Sequence, residues 1–230
     1  MHAITLWLEL DRSFTADDYA AAGLVPSGPP LGKGFFPVCA GTWDGPRNAP
    51  HDPLLFRGQD FGLAPKQPEV GETTSVPTWR HLQALMSDVG INARSCFFTN
   101  AVMGVRSGST NVGLSPGFRS EVFLSNCRAF LLTQLKIINP HGVVVMGLPA
   151  LRVLPGVAGS NVPAADTFRE WDDRVPGLLD VTLGDWTGPL AVVVHPCHRP
   201  RNAKLRAKDC TYCSGHAYEV ALLRQLIKAR

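Results

Sequence analysis

Polar residues stand where three of four apolar runs stop. Gln59 and Asp60 come shortly after Leu54-Leu55-Phe56, Asn100 follows Cys96-Phe97-Phe98-Thr99, and His195 follows Leu190-Ala191-Val192-Val193-Val194. The remaining run, Val143-Val144-Val145-Met146, ends at Gly147. Aspartate is an anion at neutral pH, side-chain amides offer both a donor and an acceptor, and a neutral imidazole presents one N–H. This set suits a polar ligand on which charge develops during a reaction. Each member taken alone has a blander use: Asp after a strand caps a helix, His-Pro makes a turn, and Asn fills a left-handed position. Only their convergence argues for a site.

Convergence requires elements that bring separate strand ends to one edge. The four runs show little alternation, which suits strands covered on both faces of a parallel sheet. Helical spacing lies between them. Residues 120–138 place Phe123, Cys127, Phe130, Leu131, Leu135 and Ile138 three and four apart, with Ser120 as N-cap, Glu121 in the first turn and Pro140 as terminator. Shorter helices are predicted over 79–88 and 217–228. The pattern is that of an α/β protein, a three-layer α/β/α sandwich around a central, mainly parallel four-stranded sheet. Its carboxyl edge, where open α/β sheets bind ligands, would gather Gln59, Asp60, Asn100 and His195. Residues 26–53 and 156–189 are rich in Gly and Pro and read as long loops or insertions within a single domain spanning 1–230.

Composition narrows the partners. The chain has 230 residues, 45% of them hydrophobic, and six cysteines, too few for a disulfide framework at this length. The longest uncharged apolar stretch, 142–151, is about half of the roughly 20 residues a membrane helix requires. The start Met1-His2-Ala3-Ile4 has no basic residues of a signal peptide. A cytoplasmic, monomeric protein without a membrane partner is expected. The net charge is only +3, but 8 Lys and Arg against 2 Asp and Glu fall in residues 199–230. That tail is a candidate phosphate-binding face, or simply a solvated basic helix.

The segments Gly58-Gln59-Asp60-Phe61-Gly62, Phe98-Thr99-Asn100-Ala101-Val102 and His195-Pro196-Cys197 resemble, in order and spacing, the motifs of the uracil-DNA glycosylase superfamily. Members follow one strand with Gly-Gln-Asp-Pro-Tyr-His or Gly-Glu-Ala-Pro-Gly, another with Asn, and another with His-Pro-Ser. The stretch from Cys127 through Gly147 also looks like the family, so the resemblance covers about residues 54–196. It implies DNA as partner, a pyrimidine flipped out of the helix, and hydrolysis of its N-glycosidic bond without a cofactor. In that chemistry positive charge builds on the sugar and negative charge on the base. The resemblance assigns Asp60 to the sugar and its attacking water, His195 to the base oxygen, Gln59 to the same oxygen, and Asn100 to the Watson–Crick edge.

The departures are informative. Gly62 stands where uracil-specific members with Asp have a Tyr that crowds C5 of the pyrimidine, and Gly opens that side. The family's base-stacking Phe aligns with Thr73-Thr74-Ser75-Val76-Pro77, which leaves Phe61 or Trp79 as substitutes. Cys197 replaces the Ser of the third motif, and the wedge-like Leu beyond it is absent from His198-Arg199-Pro200-Arg201-Asn202. Cys197, His198, Arg199, Arg201 and Lys204 are candidates for DNA contact, or are exposed loop polar groups.

The cysteines do not match the iron–sulfur branch: Cys127 fits, but Met103-Gly104-Val105 stands where another Cys belongs and Cys39 has no nearby mate. Cys210, Cys213 and His216, with Cys197 or His198 upstream, are a weak zinc candidate because no second Cys pair accompanies them. No metal is expected. The functions in contention are a glycosylase admitting a bulky 5-modified pyrimidine such as (glucosylated) hydroxymethylcytosine of phage DNA, a plain uracil-DNA glycosylase of base-excision repair, a non-catalytic sensor of modified or damaged DNA, and a hydrolase or transferase of free nucleosides.

Overall fold

A computed structural model describes residues 2–26, 53–62, 77–110, 112–204, 206 and 214–229. Among them the strands are β1 (Leu24–Val25), β2 (Leu54–Gly58), β3 (Cys96–Asn100), β4 (Val105–Arg106), β5 (Gly142–Met146), β6 (Leu179–Leu183) and β7 (Trp186–Val193). The helices are α1 (His2–Ser13), α2 (Ala16–Ala21), α3 (Pro77–Val89), α4 (Glu121–Ile138), α5 (Leu148–Leu151), α6 (Phe168–Arg174), α7 (Arg199–Asn202) and α8 (Gly215–Lys228).

The central sheet runs β3-β2-β5-β7-β6, parallel except for β6, while β1 and β4 form a separate antiparallel pair. Period two sorts the sheet's side chains into two layers. Leu55, Phe97, Val143, Val145, Leu190 and Val192 join the core formed with α1 and α4. Leu54, Phe56, Phe98, Val144, Met146, Ala191 and Val193 join the core formed with α3 and α8. Both sets are apolar because helices cover both faces, which makes each strand a continuous run and the molecule a three-layer sandwich.

The sheet has five strands, not the expected four. The fifth, β6, lies in the segment 156–189 read as loop, which also contains α6. Gly188 and Pro189 disguised the hairpin. Pro189 pairs only with β6, because β5 joins β7 from Leu190 onward, so its missing N–H removes no bond from the parallel ladder. Gly184, at φ +60, makes the turn. The Trp186 indole N–H then donates to the Pro140 carbonyl at 2.9 Å and ties the hairpin to the chain leaving α4.

Helix α4 begins as expected, with the Ser120 hydroxyl accepting from Phe123 N, and stops at Asn139 in left-handed geometry before Pro140. The sequence reading did not include α1 and α2. A reciprocal capping box between Thr15 and Asp18 starts α2, and Phe14 and Tyr19 pack on Phe123 at ring separations of 4.9 and 5.5 Å. Most of the expected loop 26–53 lies outside the described residues. No helix among those described is long and apolar enough to cross a membrane.

Candidate active site

Strand register brings the first two motifs together. Gly58 and Asn100 are paired neighbours at the carboxyl ends of β2 and β3. A Cβ on Gly58 would lie 2.6 Å from the Asn100 amide, so only glycine lets that side chain cross the strand end. With its nitrogen turned inward, Asn100 donates to the carbonyl oxygens of Asp60 at 3.2 Å and Thr99 at 3.3 Å. The backbone continues the attachment: Ala101 N donates to Gly58 O at 2.8 Å, Val102 N to Gln59 O at 2.9 Å, and Arg106 N to Gly62 O at 2.8 Å. The turn carrying Asp60 is therefore bonded along its length to the segment after β3.

The Asp60 carboxylate is almost fully buried and paired. Its Oδ1 accepts from Gly62 N at 3.0 Å, and its Oδ2 from Arg106 Nε at 2.7 Å and Gln59 Nε2 at 3.3 Å. Side-chain exposures of 7% for Asp60 and 4% for Arg106 make this an internal ion pair, in which removing either partner leaves an uncompensated charge. The remaining guanidinium donors fix the next loop, Nη1 to Val112 O at 3.1 Å and Nη2 to Gly113 O at 2.8 Å. Gln59 Nε2 also donates to Gly113 O, at 3.1 Å. Both amide hydrogens of Gln59 are thus used within the protein, and only its backbone N–H is left for the role expected of the residue.

Gly62 adopts φ +77, a conformation that side chains disfavour. The turn must bend this way for Gly62 N to reach Asp60 Oδ1 while Gly62 O receives Arg106 N. Its glycine therefore has a backbone reason beside the steric one expected from the sequence.

His195 ends the site on the β7 side. Its Nδ1 accepts from Cys197 N at 3.3 Å and faces the Cys197 thiol at 3.0 Å. An accepting Nδ1 puts the proton of the neutral ring on Nε2. Burial, helped by neighbouring His198, lowers the His195 pKa from 6.5 to about 4, while Asp60 pulls it the other way. The ring is neutral at pH 7, and it follows the carboxyl end of β7 on the same sheet edge as the turn that carries Asp60 after β2. Gly147 makes room for it, since a Cβ there would meet His195 Cβ at 3.0 Å and φ is +90. On the other flank, His81 Nδ1 donates to Pro196 O at 2.9 Å, joining α3 to the motif.

A buried carboxylate holds the histidine turn from behind. Glu219 of α8 is fully inaccessible, and its Oε1 accepts from Val194 N at 2.6 Å and Arg206 Nη1 at 2.9 Å. Its Oε2 accepts from Arg199 Nε at 3.1 Å. Arg206 also grips Asp172 through Nε at 2.9 Å and Nη2 at 2.6 Å and lies over the rings of Phe168 and Tyr218. Neither Glu219 nor Arg106 was among the sequence candidates. Each pairs across a long stretch of chain and leaves no local pattern.

Three sequence candidates move away from their expected roles. Arg199, expected on phosphates, is buried against Glu219, with Nη1 bonded to His216 Nδ1 at 2.8 Å. Trp79 of α3, one of the two aromatics offered for base stacking, is half-buried and packs its ring edge-on against Phe98 at 5.0 Å, on the edge of the core under α3. His216, considered for zinc, is held between Arg199 and Asp88, whose Oδ2 lies 3.3 Å from Nε2. Its proposed companions Cys210 and Cys213 lie outside the described residues, as does 73–76. Phe61 is half-buried against the α4-side core. His198, Arg201 and Lys204 are exposed and Cys197 is half-buried.

The arrangement therefore offers one anionic wall and one neutral, proton-donating wall. A family model described as the uracil DNA glycosylase superfamily matches residues 49–215, most of the chain, and the protein belongs to that superfamily. No curated protein matches it.

Proposed function

We propose that this superfamily member is a monofunctional DNA glycosylase that flips a pyrimidine nucleotide from DNA and hydrolyses its N-glycosidic bond, leaving an abasic site. The observation that carries this reading is a neutral His195, its proton on Nε2, at the same sheet edge as an Asp60 carboxylate held by Arg106. As the bond from sugar C1′ to the base nitrogen breaks, its electrons pass to the base and accumulate on O2, where Nε2–H donates. The cationic sugar faces the Asp60 carboxylate. Among the described residues Gly62 N is the one donor at Oδ1, so Oδ1 is the oxygen suited to orient the attacking water. Asn100 holds the Asp60 carbonyl, and its amide is the group suited to read a base edge.

For the target base we favour a bulky 5-modified pyrimidine, such as hydroxymethylcytosine or its glucosylated form in phage DNA, because Gly62 presents no side chain toward C5. Plain uracil is the second reading, favoured by the φ of +77 that calls for glycine at this turn whatever the substrate. Mass spectrometry of bases released from DNAs containing uracil, thymine, hydroxymethylcytosine and glucosylated hydroxymethylcytosine separates them. Asp60→Asn, which keeps the side chain's volume, should lower release of the accepted base by about 10²–10³-fold, the effect of removing one transition-state electrostatic partner. A protein that binds these DNAs and frees no base from any of them would be a sensor rather than an enzyme.

A further inference from the structure

The loop after β4 carries two large apolar side chains in water. Val112 is 83% exposed and Leu114 48%, and the described residues around them, 107–110 and 113, are exposed as well. This tip is rooted in the catalytic centre. Arg106, whose Nε holds Asp60, uses its other two nitrogens on the carbonyls of Val112 and Gly113, and Gln59 adds a second bond to Gly113. Gly113 sits at φ +80 with open space around it, so the two apolar side chains flank a sharp, unencumbered bend. From Ser107 to Ser120 there is no Asp or Glu, only Ser, Thr, Asn, Gly and the exposed Arg119 among its polar and small residues.

We infer that Val112 and Leu114 form the wedge that enters the base stack of duplex DNA where the target nucleotide leaves it. The inference rests on the glycosylase reading. A flipped nucleotide leaves a gap between neighbouring bases, and apolar side chains are the groups that proteins insert at such steps. The residues after His195-Pro196, namely Cys197, His198, Arg199, Pro200, Arg201 and Asn202, include no large aliphatic side chain for this purpose. An acid-free loop of hydroxyl and glycine residues can lie against phosphates without repulsion. Through Arg106, the same loop is tied to the Asp60 carboxylate, so seating the wedge and placing the anion on the sugar become one event. Leu8 of α1 and Val122 of α4 are also exposed, but they lack any such bond to the site.

The test uses a duplex with a tetrahydrofuran abasic analogue and an adjacent 2-aminopurine, which needs no knowledge of the target base. The unsubstituted protein should raise 2-aminopurine fluorescence severalfold, and the double variant Val112→Ser/Leu114→Ser should lose that rise while binding the single-stranded oligonucleotide within twofold. Both side chains are exposed, so the thermal melt should be unchanged. On uracil- and hydroxymethylcytosine-containing DNAs, the double variant should lose at least tenfold in base release from duplex and stay within twofold on single strands. Arg106→Gln, acting through Asp60, should depress both. A full fluorescence rise in the double variant, no rise with the unsubstituted protein at saturating duplex, or equal losses on both strand forms overturns the wedge. So does self-association of the unsubstituted protein that the double variant abolishes, which would assign the tip to a second copy. Absence of base release by the unsubstituted protein refutes the glycosylase reading alone, because the fluorescence result stands without catalysis.

Discussion

The two walls of the site are built from the same materials used in opposite ways. At the ends of β2 and β3, a carboxylate faces the site and an arginine, Arg106, supports it from the protein side. At the end of β7, the carboxylate is the support. Glu219 is sealed away with Arg199 and Arg206, and the group it positions, His195, is kept neutral. One wall therefore presents negative charge and the other an N–H without positive charge. Breaking a glycosidic bond calls for that asymmetry, since the sugar becomes cationic as the base becomes anionic. A protonated histidine would also pair with Asp60 across the site, and burial prevents this.

The comparison can be broken most forcefully at Glu219. Glu219→Ala should destabilise the protein by about 3–5 kcal/mol, because it strands buried arginine charge and orphans Val194 N. Denaturant unfolding checks this, and a loss below about 1 kcal/mol would mean that the network is ornamental to the fold.

A somewhat smaller effect follows from the neutral wall. In the unfolded chain His195 takes a proton near 6.5, whereas in the folded protein it resists until about 4. Between these values the unfolded state binds more protons, so the His195 contribution to stability is complete above pH 6.5 and is lost as pH falls to 4. His195→Asn should flatten that part of the stability profile. In the unsubstituted protein, the acid limb of base release assigned to His195 should centre near pH 4 rather than 6.5.

The smallest effect sharpens the anionic wall. Gly62→Ala places a side chain at φ +77 and should cost about 1–2 kcal/mol of stability. It should also reduce release of every accepted base by a similar factor. A selective loss of the larger bases would instead make Gly62 a steric gate.

The legible part of the site was the part encoded locally. Asp60, Asn100 and His195 are legible as candidates because each follows an apolar run, and Ser120 because an N-cap precedes a periodic helix. Strand β6 was missed because Gly188 and Pro189 are breakers in isolation and harmless beside a two-stranded edge. Arg199 was placed on DNA because a basic residue in a loop looks exposed until its partner, Glu219, is located 20 positions away. The contact of Trp79, one of two aromatics offered for the base, with Phe98 is invisible for a similar reason, since the two residues lie on separate elements.

The sandwich class and the candidate residues at the strand ends were legible in the sequence alone, because strand periodicity and short motifs are properties of neighbouring residues. The tertiary structure alone decided how those residues are charged and held. The Arg106 bond to Asp60, the neutral state of His195 and the burial of Glu219 depend on distance and dielectric between segments remote along the chain.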